Sequence, residues 1–158
     1  MKLSEVVVAE AIVPTLKSTE RDDVVAELVD ALVGAGAADA SIRDELIAAV
    51  LEREQKGSTG FGRGVAVPHV KHQSVLKMSA AIGLSEEGVE FNALDKQPVY
   101  TIFLLLSPED HPEEHLQAME VIFKSLSKDT FRRFLRQSTS IEEVTELLEE
   151  ADSQQISG

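Results

Sequence analysis

The chain has no cysteine, so it can form neither a disulfide framework nor a thiolate metal site. That composition suits a reducing cytoplasm. Positive charge is also scarce: fifteen Lys and Arg stand against 28 Asp and Glu, a net charge of −13. A surface of that sign repels nucleic acid and anionic membrane and favours basic protein partners. Long apolar runs are missing as well. The densest, Val99 to Leu106, is far too short to cross a bilayer. Glu10 interrupts the apolar stretch near Met1, which makes a poor signal peptide. No internal repeat or low-complexity linker breaks the chain. A cytoplasmic protein without stable membrane insertion is the expectation.

What is present suits one globular domain. The 158 residues are 43% hydrophobic and 27% charged, enough to bury a core of ordinary size. Thr19-Glu20-Arg21-Asp22 has the pattern of a capping box, followed by Val24, Val25, Leu28 and Leu32 at helical spacing. Gly34 and Gly36 supply the stop. Ser41-Ile42-Arg43-Asp44 opens a second helix with Leu46, Ile47, Val50 and Leu51 on its apolar face. Ile12 to Leu16 reads as an edge strand, since Pro14 is tolerated only there. The middle is strand-rich: Val65 to Val67, Met78 to Leu84, and Val99 to Leu106. Glu86-Glu87-Gly88 and Asp95-Lys96-Gln97-Pro98 read as turns. Pro112 suits a first helical position, with Leu116, Met119, Ile122, Phe123 and Leu126 as the expected buried stripe. A further helix around Phe131 to Leu135 and a last one from Ser140 complete an α/β layered domain around one mixed sheet. Residues 152–158 read as a flexible tail.

The segment with most chemistry is Gly60-Phe61-Gly62-Arg63-Gly64-Val65-Ala66-Val67-Pro68-His69. Its glycines follow a helix and precede a strand, the reverse of the dinucleotide fingerprint, and no Gly-Lys-Ser/Thr ending makes it a Walker loop. A tight turn needing positive φ explains the glycines alone. Pro68, with fixed φ and no amide hydrogen, stops the strand and presents His69 on stiff backbone. A neutral imidazole held that way suits a phosphoryl acceptor or a general base. His115, in the first turn after Pro112, sits where a helix N-terminus favours an anion. Arg53, in the last turn of the second helix, offers either a dipole-complementing charge or a bidentate phosphate clamp. The pairs His69/His72 and His111/His115 also have spacings a metal could use, although the chain has no thiolate to complete a site. His72 and His111 otherwise read as solvated.

The run Arg53-Glu54-x-x-Gly57-Ser58-Thr59-Gly60-Phe61-Gly62-x-Gly64-Val65-Ala66-Val67-Pro68-His69 resembles the signature of the fructose/mannitol-type EIIA domains of the bacterial phosphotransferase system. That family includes the stand-alone nitrogen-regulatory EIIA proteins. Phe91-x-Ala93-Leu94-Asp95-x-x-Pro98-Val99 and Glu114-His115-Leu116 also match its pattern. The resemblance covers residues 3 to 151. It implies a single domain with a mixed β-sheet flanked by helices on both faces. His69 is then the phospho-accepting residue, His115 the second active-site histidine and Arg53 the active-site arginine. No cofactor or metal is implied. The expected donor is an HPr-type phosphocarrier protein, and the recipient a regulated target protein or an EIIB domain. Val70 departs from the family, which usually has a small residue there; a β-branched side chain is expected to narrow access to the histidine or alter partner choice. A separately encoded sugar-specific subunit, an interaction module without phosphotransfer and a histidine-ligated metal protein are the other readings.

Overall fold

The computed structural model describes residues 1–157, the side chains of 155–157 excepted. After a one-turn helix α1 (Leu3–Val6) the chain enters strand β1 (Val7–Val13). Helices α2 (Arg21–Gly34) and α3 (Arg43–Lys56) follow, separated by a short 3-10 turn at Ala40–Ile42. Then come β2 (Gly60–Gly62), β3 (Val65–Ala66), β4 (His69–His72), β5 (Ser79–Val89) and β6 (Val99–Pro108). Helices α4 (Pro112–Leu126), α5 (Asp129–Gln137) and α6 (Ile141–Ser157) close the fold.

The sheet is mixed and runs β1-β5-β6-β3-β2, with β4 also paired to β6. Strand β6 is its spine. It pairs antiparallel with β5 on one side. On the other it pairs parallel, first with β3 (Val65 with Thr101) and then with β4 (His69 with Leu105). Side chains alternate across a sheet, and the core divides accordingly. Val65, Val67, Phe103 and Leu105 pack with Ala118, Ile122, Leu126 and residues of α5 and α6. Ala66, Ile102, Leu104 and Leu106 pack with α2 and α3 on the opposite face. Helices therefore cover both faces, as expected.

Several local expectations give way to packing. The first strand is Val7–Val13, earlier than Ile12 to Leu16, although it does form an edge and Pro14 lies just outside it. Glu20, not Thr19, caps α2 and makes no side-chain cap bond; the Glu27 carboxylate instead accepts from the Lys17 and Ser18 amides upstream. Glu86 to Gly88 is not a turn but an irregular stretch within β5. Pro68 interrupts pairing rather than ending it, because its carbonyl still accepts from Leu105 N at 3.0 Å and the chain resumes as β4. The buried stripe of α4 is His115, Ala118, Ile122, Ser125 and Leu126. Leu116 is 63% exposed, and Phe123 is half out, its ring 4.9 Å from that of Phe61. Ile122 and Leu126 are buried as expected, while Leu116 and Phe123 lie at the margin and Ala118 and Ser125 take inner positions.

The expected flexible tail from residue 152 is also revised: α6 continues through Ser157, and Gly158 lies outside the described residues. Asp152 is 6% exposed and accepts from Leu3 N at 2.7 Å and Ser4 N at 3.3 Å, as well as from the Ser4 hydroxyl. It satisfies the free amides at the start of α1 and ties the two ends of the fold together. Replacing Asp152 with Ala should lower the free energy of unfolding in urea by roughly 1–3 kcal/mol, since it orphans buried donors. A loss below about 0.5 kcal/mol would be an ordinary surface effect and would contradict this role.

Candidate functional site

The site grows from β6 and its two parallel neighbours. Gly60 to Ala66 forms a tight hairpin, β2 against β3, with Gly60 opposite Ala66. Its tip needs positive φ at Gly62 (114°), Arg63 (60°) and Gly64 (77°), so the glycine spacing is a turn requirement. From this hairpin the chain passes Val67 and Pro68 and delivers His69 opposite Leu105. Odd-numbered residues from Val65 to Val67 face the α4 layer, and His69 continues that parity. On β6 the same face carries Phe103 and Leu105, and the next residue of that parity is Ser107. Helix α4 lays His115 over this end of the sheet.

Two imidazoles thereby meet, with ring centroids 5.4 Å apart and planes inclined by 50°. The Nδ1 of His69 lies 2.9 Å from the Val67 carbonyl oxygen. A carbonyl only accepts, so Nδ1 carries the hydrogen and Nε2 keeps its lone pair. The Nδ1 of His115 lies 2.7 Å from the fully buried Ser107 hydroxyl. Burial is the main cause holding the His69 ring below the usual imidazole range; the Val67 carbonyl opposes it, and the Arg53 and Lys71 charges lower it further. His115, only 5% exposed, is pushed down to about 4, first by burial and then by the His69 and Lys71 charges. Both rings are neutral at pH 7.

Arg53 closes the last turn of α3, where its Nη1 donates to the Gly57 carbonyl at 2.7 Å. It therefore serves the helix terminus, and its charge also reaches His69. His72 is not solvated: its side chain is 11% exposed, its Nδ1 accepts from Ser74 N, and its Nε2 lies 3.3 Å from Glu45. His111 is open to solvent beside Asp110. The four histidines thus fail to converge. Among the described residues no group of three or more His, Asp or Glu is placed to hold a metal. Val70 faces away from His69 and packs with the α2–α3 cluster. Its bulk cannot narrow access to a ring on the other face, which overturns that expectation.

Three contributors escaped the sequence reading. Ser107 ends an apolar run and shares the parity of Phe103 and Leu105, which was a usable signal. Glu54, 3% exposed, accepts from Thr59 N at 3.1 Å and from the Thr59 hydroxyl, pinning the chain as it enters the hairpin. Its signal was an acid at four-residue spacing behind the buried Leu46 and Val50. Lys71, at the exposed third position of β4, brings a second cation to the rings.

Residues 5–151 match the family described as phosphoenolpyruvate-dependent sugar phosphotransferase system, EIIA 2. The chain is 37% identical over 123 residues to the fructose-specific EIIA component of Haloferax volcanii, covering 78% of this chain and 79% of that protein. It is 31% identical over 152 residues to the fructose-specific EIIABC component of Bacillus subtilis, covering 96% of this chain but only 24% of that longer protein. The crystal structure of nitrogen regulatory protein IIA-Ntr from Neisseria meningitidis superposes with a TM-score of 0.83 at 30% identity, covering 92% of this chain and 98% of that one. With most of its length matched and its fold shared, the chain belongs to the EIIA 2 family of the phosphoenolpyruvate-dependent sugar phosphotransferase system.

Proposed function

We propose that this protein is a phosphoryl carrier that accepts a phosphoryl group on Nε2 of His69 from a phosphohistidine donor of the HPr type. The observation that carries this reading is the hydrogen bond from His69 Nδ1 to the Val67 carbonyl, which aims a neutral, nucleophilic Nε2 at the space shared with His115. The lone pair of Nε2 forms the new N–P bond as the donor's N–P bond breaks and its electron pair returns to the donor ring. Positive charge arising on the acceptor ring is spread toward the Val67 carbonyl through Nδ1–H. In the tautomer whose Nδ1 accepts from the Ser107 hydroxyl, His115 keeps its hydrogen on Nε2 and donates it to a phosphoryl oxygen. Arg53 and Lys71 supply positive charge in a chain that otherwise repels an incoming phosphate. Such transfer needs no metal, because the donor is already activated.

The group then serves as a signal to a target protein or passes to an EIIB domain. The signalling reading draws on the likeness to nitrogen regulatory IIA-Ntr. The sugar-transport reading draws on the fructose-specific relatives, one of which is named for EIIA, EIIB and EIIC components together. Both outputs call for a cytoplasmic protein. No helix of the described residues is long and apolar enough to cross a membrane.

Incubation with phosphoenolpyruvate, the first enzyme of the system and HPr should add one phosphoryl group, seen as a mass shift. His69→Ala should abolish that shift without loss of fold, and an undiminished shift would assign the nucleophile elsewhere. His115→Ala should retain labelling but slow it roughly 10²-fold, the usual cost of one lost transition-state donor.

Ring titration followed by NMR should give His115 a midpoint near 4 and His69 a midpoint below 6.5. The sign follows from linkage: the unfolded chain binds these protons more readily. The stability from neutral His115 is therefore whole above about 6.5 and is lost as pH falls toward 4. A His115 midpoint at or above 6.5 would remove the neutral donor from the mechanism.

A further inference from the structure

On this acidic chain, four of the seven arginines line one cleft. Arg63, Arg132, Arg133 and Arg136, with Asp129 and Gln137, enclose about 580 Å³ between the hairpin tip and α5. Only Arg132 faces a carboxylate, Asp129 at 3.4 Å, and its other nitrogen is fixed on the Leu126 carbonyl at 2.7 Å. Arg136 lies 3.7 Å above the Tyr100 ring and Arg133 5.7 Å from that of Phe134. Among the described residues, the guanidiniums of Arg63, Arg133 and Arg136 form no ion pair, although the Arg63 amide donates to Asp95 Oδ2 at 3.3 Å. Three positive charges thus stand uncompensated in one concavity, although the molecule carries 28 acids with which to neutralise them.

The arrangement costs stability. Arg132 and Arg136 are a like-charged pair one helical turn apart on α5, which disfavours the helix. Arg63 adopts φ of 60°, a left-handed conformation that a side chain resists. The hairpin tip needs positive φ at this position but not an arginine to supply it, and burial of Phe131 and Leu135 does not call for the charged pair. The cleft is also separate from His69: Tyr100 and Leu105 are five residues apart on β6, roughly 17 Å along an extended strand.

We propose that this cleft binds a compact polyanion, a small molecule carrying two or more phosphate groups. Its volume falls in the range of small-ligand sites, and planar guanidiniums grip phosphate oxygens in pairs. The net charge selects the ligand's size. Nucleic acid or an acidic protein would extend over the surrounding negative surface. A compact ligand stays within the roughly 10 Å over which the local arginine field prevails at moderate salt.

Inorganic tripolyphosphate is the probe, titrated calorimetrically at low ionic strength with orthophosphate as the single-phosphate control. Saturable binding is expected, at least tenfold tighter for tripolyphosphate and weakening as salt rises. NMR shifts should centre on Arg63, Tyr100 and α5. The double variant R133E/R136E, altered at two exposed positions, should lose at least tenfold in affinity while keeping its melting temperature and its phosphorylation on His69. Unchanged affinity in that variant, absence of saturable binding, or shifts centred on His69 and Lys71 would each overturn the proposal. Failure of phosphotransfer to His69 with tripolyphosphate binding intact would count against the carrier function alone.

Discussion

The arrangement around His69 depends on how β6 is shared. One strand accepts β3 and β4 in succession along the same edge, with Pro68 between them. Proline cannot donate to a ladder, but its carbonyl keeps the partner register by accepting from Leu105 N. The interruption therefore costs no change of face. Val67 and His69 remain on the α4 side, and the Val67 carbonyl is left two residues back, within reach of the His69 ring. A one-residue slip would turn His69 into the α2–α3 core and Val70 toward α4. Register, rather than the glycine loop itself, orients the imidazole.

Electrostatics then follows from burial. His115 is buried and His69 partly so, and two adjacent imidazolium ions would repel each other in a poorly solvating environment. Neutrality is the consequence. In the proposed transfer it suits one ring to nucleophilic attack and the other to donation. The nearby cations act in the same direction, holding His69 unprotonated while attracting an anion. Glu54 contributes opposing charge, but its carboxylate is engaged by Thr59, so its main work is mechanical: it anchors the entrance to the hairpin whose far end becomes β4.

Much of this was legible in the sequence, and what was not has identifiable causes. The helices α2 and α3 and the buried strand β6 announce themselves through periodicity, and the family pattern pointed to His69, His115 and Arg53. Element ends were less readable because they answer to distant partners. Asp152 looks like tail until the amides of Leu3 and Ser4, 149 and 148 residues away, are seen to converge on it. On α4 the expected stripe holds at Ile122 and Leu126, but Leu116 and Phe123 lie at its margin and the smaller Ala118 and Ser125 are buried, because size alone does not decide which side chain faces the sheet. His72 looked solvated because Glu45, its partner, lies on another element.

The valine after His69 shows what a motif departure means physically. On a strand, neighbours in sequence belong to different environments. His69 answers to the α4 layer, where His115 lies, while Val70 answers to α2 and α3, where the requirement is to fill space. The substitution is therefore a matter of packing between the sheet and α3, which also carries Arg53. Its effect on the site would have to travel through the position of that helix, not through the opening above the ring.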